Sequence, residues 1–263
     1  MKRIVSFALV CAMLLLSCFL TACRAPAMKR EENGGLRNPQ TNICYYPTPL
    51  SYYAKIPTVG EPYARIKVDN GGEDILLYEI EGLDPERYLI SDSYSLYYAA
   101  GEELPELFDL PCVRVGIYDT QVASNDGNIT DENSINALKD LHQNGTFTSL
   151  ENVSIYADSS TSWYDLHFFG DGEYKGVYYQ LKYGVFVEDV IITELVEKDA
   201  NGHYIDIYPG VPYEFAQETY SGKEYTVAKY NFGKEIMCDM ITGNCYMLKS
   251  SLLPYITPVG DGE

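Results

Sequence analysis

Trp163-Tyr164-Asp165-Leu166-His167-Phe168-Phe169, then Gly170-Asp171-Gly172, then the run Tyr174–Tyr183, is the stretch that decides the fold. Aromatic and β-branched side chains suit a pleated, half-buried strand, and both flanks are rich in aromatics. The glycines between the flanks supply a turn, so the whole reads as a β-hairpin. Working outward, Val185–Val196 continues as a β-branched run. Tyr63–Asp69, Asp74–Glu81 and Val153–Ala157 alternate apolar and polar residues, the period of a strand with one buried face. His203–Tyr208 and Glu224–Tyr230 follow, and Glu235–Tyr246 folds around Thr242-Gly243-Asn244. Turn signals recur roughly every 8–15 residues, the spacing of an antiparallel sheet or sandwich.

One helix interrupts this pattern, over about residues 131–143. Thr130 offers a cap, and Asp131-Glu132-Asn133 places acids where the helix dipole favours them. Ile135, Leu138 and Leu141 form an apolar stripe, and Asn144-Gly145 ends it. Glu102–Asp109 has room for a turn or two, limited by Pro105. The expected fold class is therefore α+β, mainly β: an antiparallel sheet or sandwich with one short helix packed on it. Residues 44–258 read as a single domain, with a seam allowed near residues 124–127.

The chain holds 38 acidic against 19 basic side chains, a formal charge of −19, which excludes a nucleic-acid partner for want of a Lys/Arg footprint. Its 46% hydrophobic content excludes a disordered chain. It has 25 tyrosines but one tryptophan and three histidines. Tyr45-Tyr46, Tyr52-Tyr53, Tyr97-Tyr98 and Tyr178-Tyr179 are doublets, so on a strand each doublet sends one ring to either face.

The N-terminus opens with basic Lys2-Arg3, continues as an apolar run Ile4–Leu20, and reaches Leu20-Thr21-Ala22-Cys23. This is the layout of a secretory signal. The last four residues resemble the lipobox of bacterial lipoproteins. The resemblance implies a diacylglycerol on the Cys23 sulfur and cleavage after Ala22, so residues 1–22 leave as a signal peptide and Cys23 becomes the N-terminus. The alternative is an uncleaved anchor, for which the run falls short of the roughly 20 residues that span a bilayer. Loss of residues 1–22 leaves 17 basic and 38 acidic side chains, a balance of −21. Residues 23–43 contain Pro26, Gly34, Gly35 and Pro39 and read as a lipidated N-terminus and flexible tether. The expected location is the extracytoplasmic face of a cell membrane, held through the lipid. The succession of strand, Ile129-Thr130-Asp131-led helix and aromatic hairpin also resembles uncharacterised lipoproteins of Gram-positive gut bacteria, a resemblance that implies no activity.

Four cysteines remain after Cys11, Cys18 and Cys23 are set aside. Cys238 and Cys245 flank the Thr242-Gly243 turn, so a hairpin brings them together for a disulfide if the register is right. Cys44–Cys112 is the less favoured second pair.

Chemistry is harder to find. The three histidines stand alone, without a second ligand, and no Cys-x-x-Cys, Gly-x-Ser-x-Gly, Ser-x-x-Lys or phosphate loop occurs. Residues 122–133 follow a calcium loop in the middle, but Val122 and Asn133 stand at its two ends. No cofactor and no metal is expected. Trp163, Tyr164, Tyr178 and Tyr179 are the candidate binding surface, since tyrosine gives contact area with a polar tip. The leading expectation is a binding module that offers an aromatic, acidic β surface to a glycan, a peptide or an envelope protein. The alternatives are an anchored glycosidase-like hydrolase using two carboxylates, and a structural envelope lipoprotein.

Overall fold

In the computed structural model the described residues are 25–49, 52–54, 61–68, 72–121, 124–154, 161–197, 201–202 and 211–256. The signal segment, Cys23 and the strand expected over residues 203–208 lie outside them. The chain forms two compact units, one from residues 1–47 and 55–103, the other from 48–54 and 104–263. Residues 124–127 fall inside the second unit. Strands are numbered in chain order, and every pairing between named strands is antiparallel. The fold is mainly β with one substantial helix.

The first unit is a seven-stranded sheet. It comprises β1 (Lys29–Arg30), β2 (Leu36–Arg37), β3 (Cys44–Pro47), β5 (Ala64–Ile66), β6 (Ile75–Glu79), β7 (Tyr88–Ser91) and β8 (Leu96–Ala99), in the order β1-β2-β3-β8-β7-β6-β5. Tyr45, Leu77 and Leu89 are fully buried at its core, and Met28 and Leu36 pack with them. The expected tether is thus corrected from Ala25 onward. Gly34 takes a positive φ of 82°, which closes a hairpin between β1 and β2. Met28 and Leu36 then supply the apolar side chains that dock it, and the Met28 N–H donates to the Arg65 carbonyl at 2.8 Å.

The second unit is built on the aromatic hairpin. β12 (Ser162–Gly170) and β13 (Val177–Val185) pair in register from Ser162–Val185 to Phe169–Tyr178. Their turn is longer than expected, a six-residue link at 171–176 containing a 3-10 turn over Gly172–Tyr174. β4 (Tyr52–Ala54) pairs with β13, and β9 (Cys112–Asp119) with β12. β10 (Asn125–Ile129) lies outside β9; β17 (Glu235–Asp239), β18 (Asn244–Met247) and β11 (Phe147–Ser149) extend the sheet on the other side.

Helix α1 (Glu132–Asn144) covers the inner face of this sheet with Ile135, Leu138 and Leu141. Its cap is Asp131, one residue later than expected; the Asp131 carboxylate accepts from the Ser134 N–H at 2.8 Å. A three-stranded sheet, β14 (Ile191–Leu195), β16 (Lys223–Asn231) and β15 (Tyr213–Tyr220), packs through Ile192, Ala228 and Tyr230 against Ile236, Cys238 and Cys245. Val153, expected in a strand, lies instead in the short helix α2 (Leu150–Ser154), its side chain fully buried in the same cluster. The acid at Glu151 suits a first helical turn better than a strand.

Candidate aromatic binding face

Register decides which side chains meet. On the outer face of β9, β12, β13 and β4 the paired positions form three rows. The first is Tyr118–Asp165–Lys182, the second Gly116–His167–Gln180, and the third Arg114–Phe169–Tyr178–Tyr53. Long aromatic side chains reach diagonally between rows. The His167 ring stacks between Tyr118, at 4.4 Å between centroids, and Tyr178, at 4.2 Å. Tyr178 in turn stacks on Tyr53 at 5.9 Å. Four strands therefore contribute one continuous row of rings, each half-buried.

Gly116 makes the row possible. A Cβ there would lie 2.6 Å from Cε2 of Tyr118 and 3.1 Å from Cε2 of Phe169, so the two rings occupy the space that a side chain would take. Phe169 also carries the guanidinium of Arg114, 3.8 Å above its ring, and Arg114 Nη1 donates to Asn128 Oδ1 at 2.8 Å. Beside the row, Lys182 donates to Asp165 at 2.5 Å and Gln180 donates to the same carboxylate at 3.1 Å. The charged groups in these rows are Arg114, Lys182 and Asp165, so this face is not acidic, contrary to expectation.

Because the rings stack on one another, both faces of His167 are covered. The row presents ring edges and phenol oxygens more than open π faces. Burial lowers the His167 imidazole to about 4, against an ordinary value near 6.5, so it is neutral at pH 7. Its Nε2 has no hydrogen-bond partner among the described residues. Burial raises the Tyr53 phenol, and the charges of Asp165 and Asp239 raise it further.

The four residues expected to form one platform do not share a face. Neighbours on a strand point to opposite sides, which separates Trp163 and Tyr178 from Tyr164 and Tyr179. Tyr178 stands in the ring row. Trp163 lies on the same face but is taken up by packing: its ring covers Gly184, where a Cβ would meet it at 2.9 Å, and it meets Phe186 edge-on at 5.8 Å. Tyr164 is on the inner face, 5.6 Å from Tyr183.

Tyr179 is fully buried on the inner face. Its hydroxyl donates to Asp239 at 3.0 Å, and its ring meets Tyr52 at 5.1 Å. Asp239 is itself fully buried, with His142 Nε2 at 3.0 Å and the Ile241 N–H donating at 2.8 Å. Burial pushes this carboxyl up, but the hydrogen bonds from His142, Ile241 and Tyr179 outweigh it and hold the group below its ordinary value. This cluster ties α1, β13 and the β17–β18 turn together in the interior. Next to it, Cys238 and Cys245 are directly paired across the hairpin and joined as a disulfide. Cys44 and Cys112 are free thiols, one in each unit.

Tyr53, Tyr118, His167, Phe169 and Arg114 were not singled out from sequence as a group. Period-two alternation along β12 places His167 and Phe169 on the face of Trp163, whereas their ring partners on β4 and β9 follow only from the pairing of strands distant in sequence. Among the described residues no three His, Cys, Asp or Glu side chains gather as a metal site, and no helix is long and apolar enough to cross a membrane. Comparison with protein-family models, with curated proteins and with solved structures finds no match to this chain.

Proposed function

We propose that the protein is a lipid-anchored, extracytoplasmic binding module that recognises an uncharged glycan through the face built on Tyr118, His167, Tyr178 and Tyr53. The observation that carries the reading is the continuous stack of four rings across four neighbouring strands. Rings held against one another are already ordered, so a ligand meets them at little further entropic cost. Polar side chains fixed in pairs, Asp165 with Lys182 and Arg114 with Asn128, lie beside them. Oriented polar groups of this kind suit the hydroxyls of a sugar ring, and the phenol oxygens of the row can donate or accept. With two cations and one anion in the rows, the face carries no strong single-sign charge, which suits an uncharged ligand. The lipobox-like Leu20-Thr21-Ala22-Cys23 supports attachment at Cys23, which holds the module where envelope glycans are found.

An oligosaccharide array probed with the wild type and with Tyr178→Ala tests this. Binding to neutral oligosaccharides is expected, with loss in the variant, whose folded state is checked by its circular dichroism; its melting temperature falls because the half-buried ring leaves the row. An array without signal, or signal unchanged by the substitution, contradicts the reading.

A further inference from the structure

Away from the ring row, on the opposite face of the sheet, α1 and the segment after β18 line a hollow of about 330 Å³ that is open to solvent. That is room for about ten waters at ~30 Å³ each, and it reaches the size at which small-molecule sites begin. Ala137, Leu138 and Leu141 form one wall, and Leu248, Leu252 and Tyr255 the other. The second wall is fastened at both ends. The Leu252 N–H donates to Glu235 Oε2 at 2.8 Å, Ile256 bridges to Gly127, and the Tyr255 hydroxyl lies 3.0 Å from Ser134 Oγ. The hollow is therefore preformed, because collapse would break these bonds.

We propose that this hollow binds a small uncharged amphiphile, an aliphatic alcohol of medium chain length. Its chain lies against the leucines, and its hydroxyl donates to the Ser134–Tyr255 pair. Each of those oxygens has two lone pairs, so acceptor capacity remains after their mutual contact. An anionic head is disfavoured. Asp140 and Lys249 stand in the lining with opposite signs, and the chain as a whole carries −19, which repels an anion. Burying a carboxylate here would also cost part of its hydration, set against Lys249 alone, an exposed cation whose pairing contributes little. The inference rests on the hollow alone and stands or falls apart from the glycan reading.

The test is an NMR titration of the full chain with 1-octanol and with octanoate, following the methyls of Leu138, Leu141 and Leu252. Saturable shifts with 1-octanol are expected, with octanoate weaker by about tenfold or more. Ala137→Phe fills the hollow from an exposed helix position and should weaken 1-octanol about tenfold with an unchanged melting temperature. Tyr255→Phe removes one acceptor and should weaken it about threefold to fivefold. No saturable shift, equal binding of octanoate, or full binding by both variants would overturn the proposal.

Discussion

His167 carries an imidazole that the fold keeps neutral by packing it between two tyrosine rings. Its folded value of about 4 lies below the unfolded value near 6.5, so between these limits the unfolded chain binds a proton that the folded chain refuses. Stability is complete above pH 6.5 and falls as the solution is acidified towards pH 4, by on the order of 3 kcal/mol from this residue. Chemical denaturation at a series of pH values should show that decline, and His167→Gln should flatten it. An unchanged slope in the variant would place the sensitivity elsewhere. Asp239 acts lower on the scale: its depressed carboxyl contributes stability above its ordinary unfolded value, lost as pH falls below that range. At Tyr178 the account separates two contributions to binding. Tyr178→Phe keeps the stack but loses a hydroxyl, for an expected loss of about fivefold, whereas Tyr178→Ala also opens the row and should cost more than tenfold, about 1.4 kcal/mol or more.

At the scale of elements, the β12–β13 hairpin and the β17–β18 hairpin organise the second unit. The Cys238–Cys245 bridge closes a small loop, and replacing both residues by serine should lower stability by about 2 kcal/mol in denaturant titrations. Thiol counting on the denatured, unreduced protein should find Cys44 and Cys112 reactive and the other pair protected. Gly184→Ala pushes a methyl into the Trp163 ring and is expected to destabilise by about 1–3 kcal/mol. Trp163 is the sole tryptophan, so its fluorescence reports the displacement directly.

These elements also show what a sequence can reveal. Period-two alternation and turn residues were enough to find β12, β13 and the last hairpin, and an acidic first turn with an apolar stripe was enough for α1. Glycine-rich Gly34-Gly35 misled, because a tight hairpin and a flexible tether share that composition; buried Met28 and Leu36 distinguish them only once the sheet exists. The tyrosine doublets behaved as strand geometry requires, Tyr52 and Tyr179 inward, Tyr53 and Tyr178 outward. Choosing Tyr178 was therefore within reach, whereas stacking it on His167 and Tyr118 needed a register between strands far apart in sequence, which no local pattern encodes.

For the whole molecule, the formal charge is −19, while the charged groups in the rows of the ring-bearing face are Arg114, Lys182 and Asp165. Intact-mass analysis of the membrane-extracted protein should find Cys23 N-terminal and lipid-modified; a chain that still begins with Met1 contradicts the anchoring proposal. Glycan recognition by the stacked row is the central claim, and chemical-shift mapping with a neutral oligosaccharide tests it most directly. The account predicts saturable shifts centred on Tyr53, Tyr118, His167 and Tyr178, with the core around Tyr179 and Asp239 unmoved. Saturation without any change at those four rings, or no binding by any neutral oligosaccharide, would contradict it.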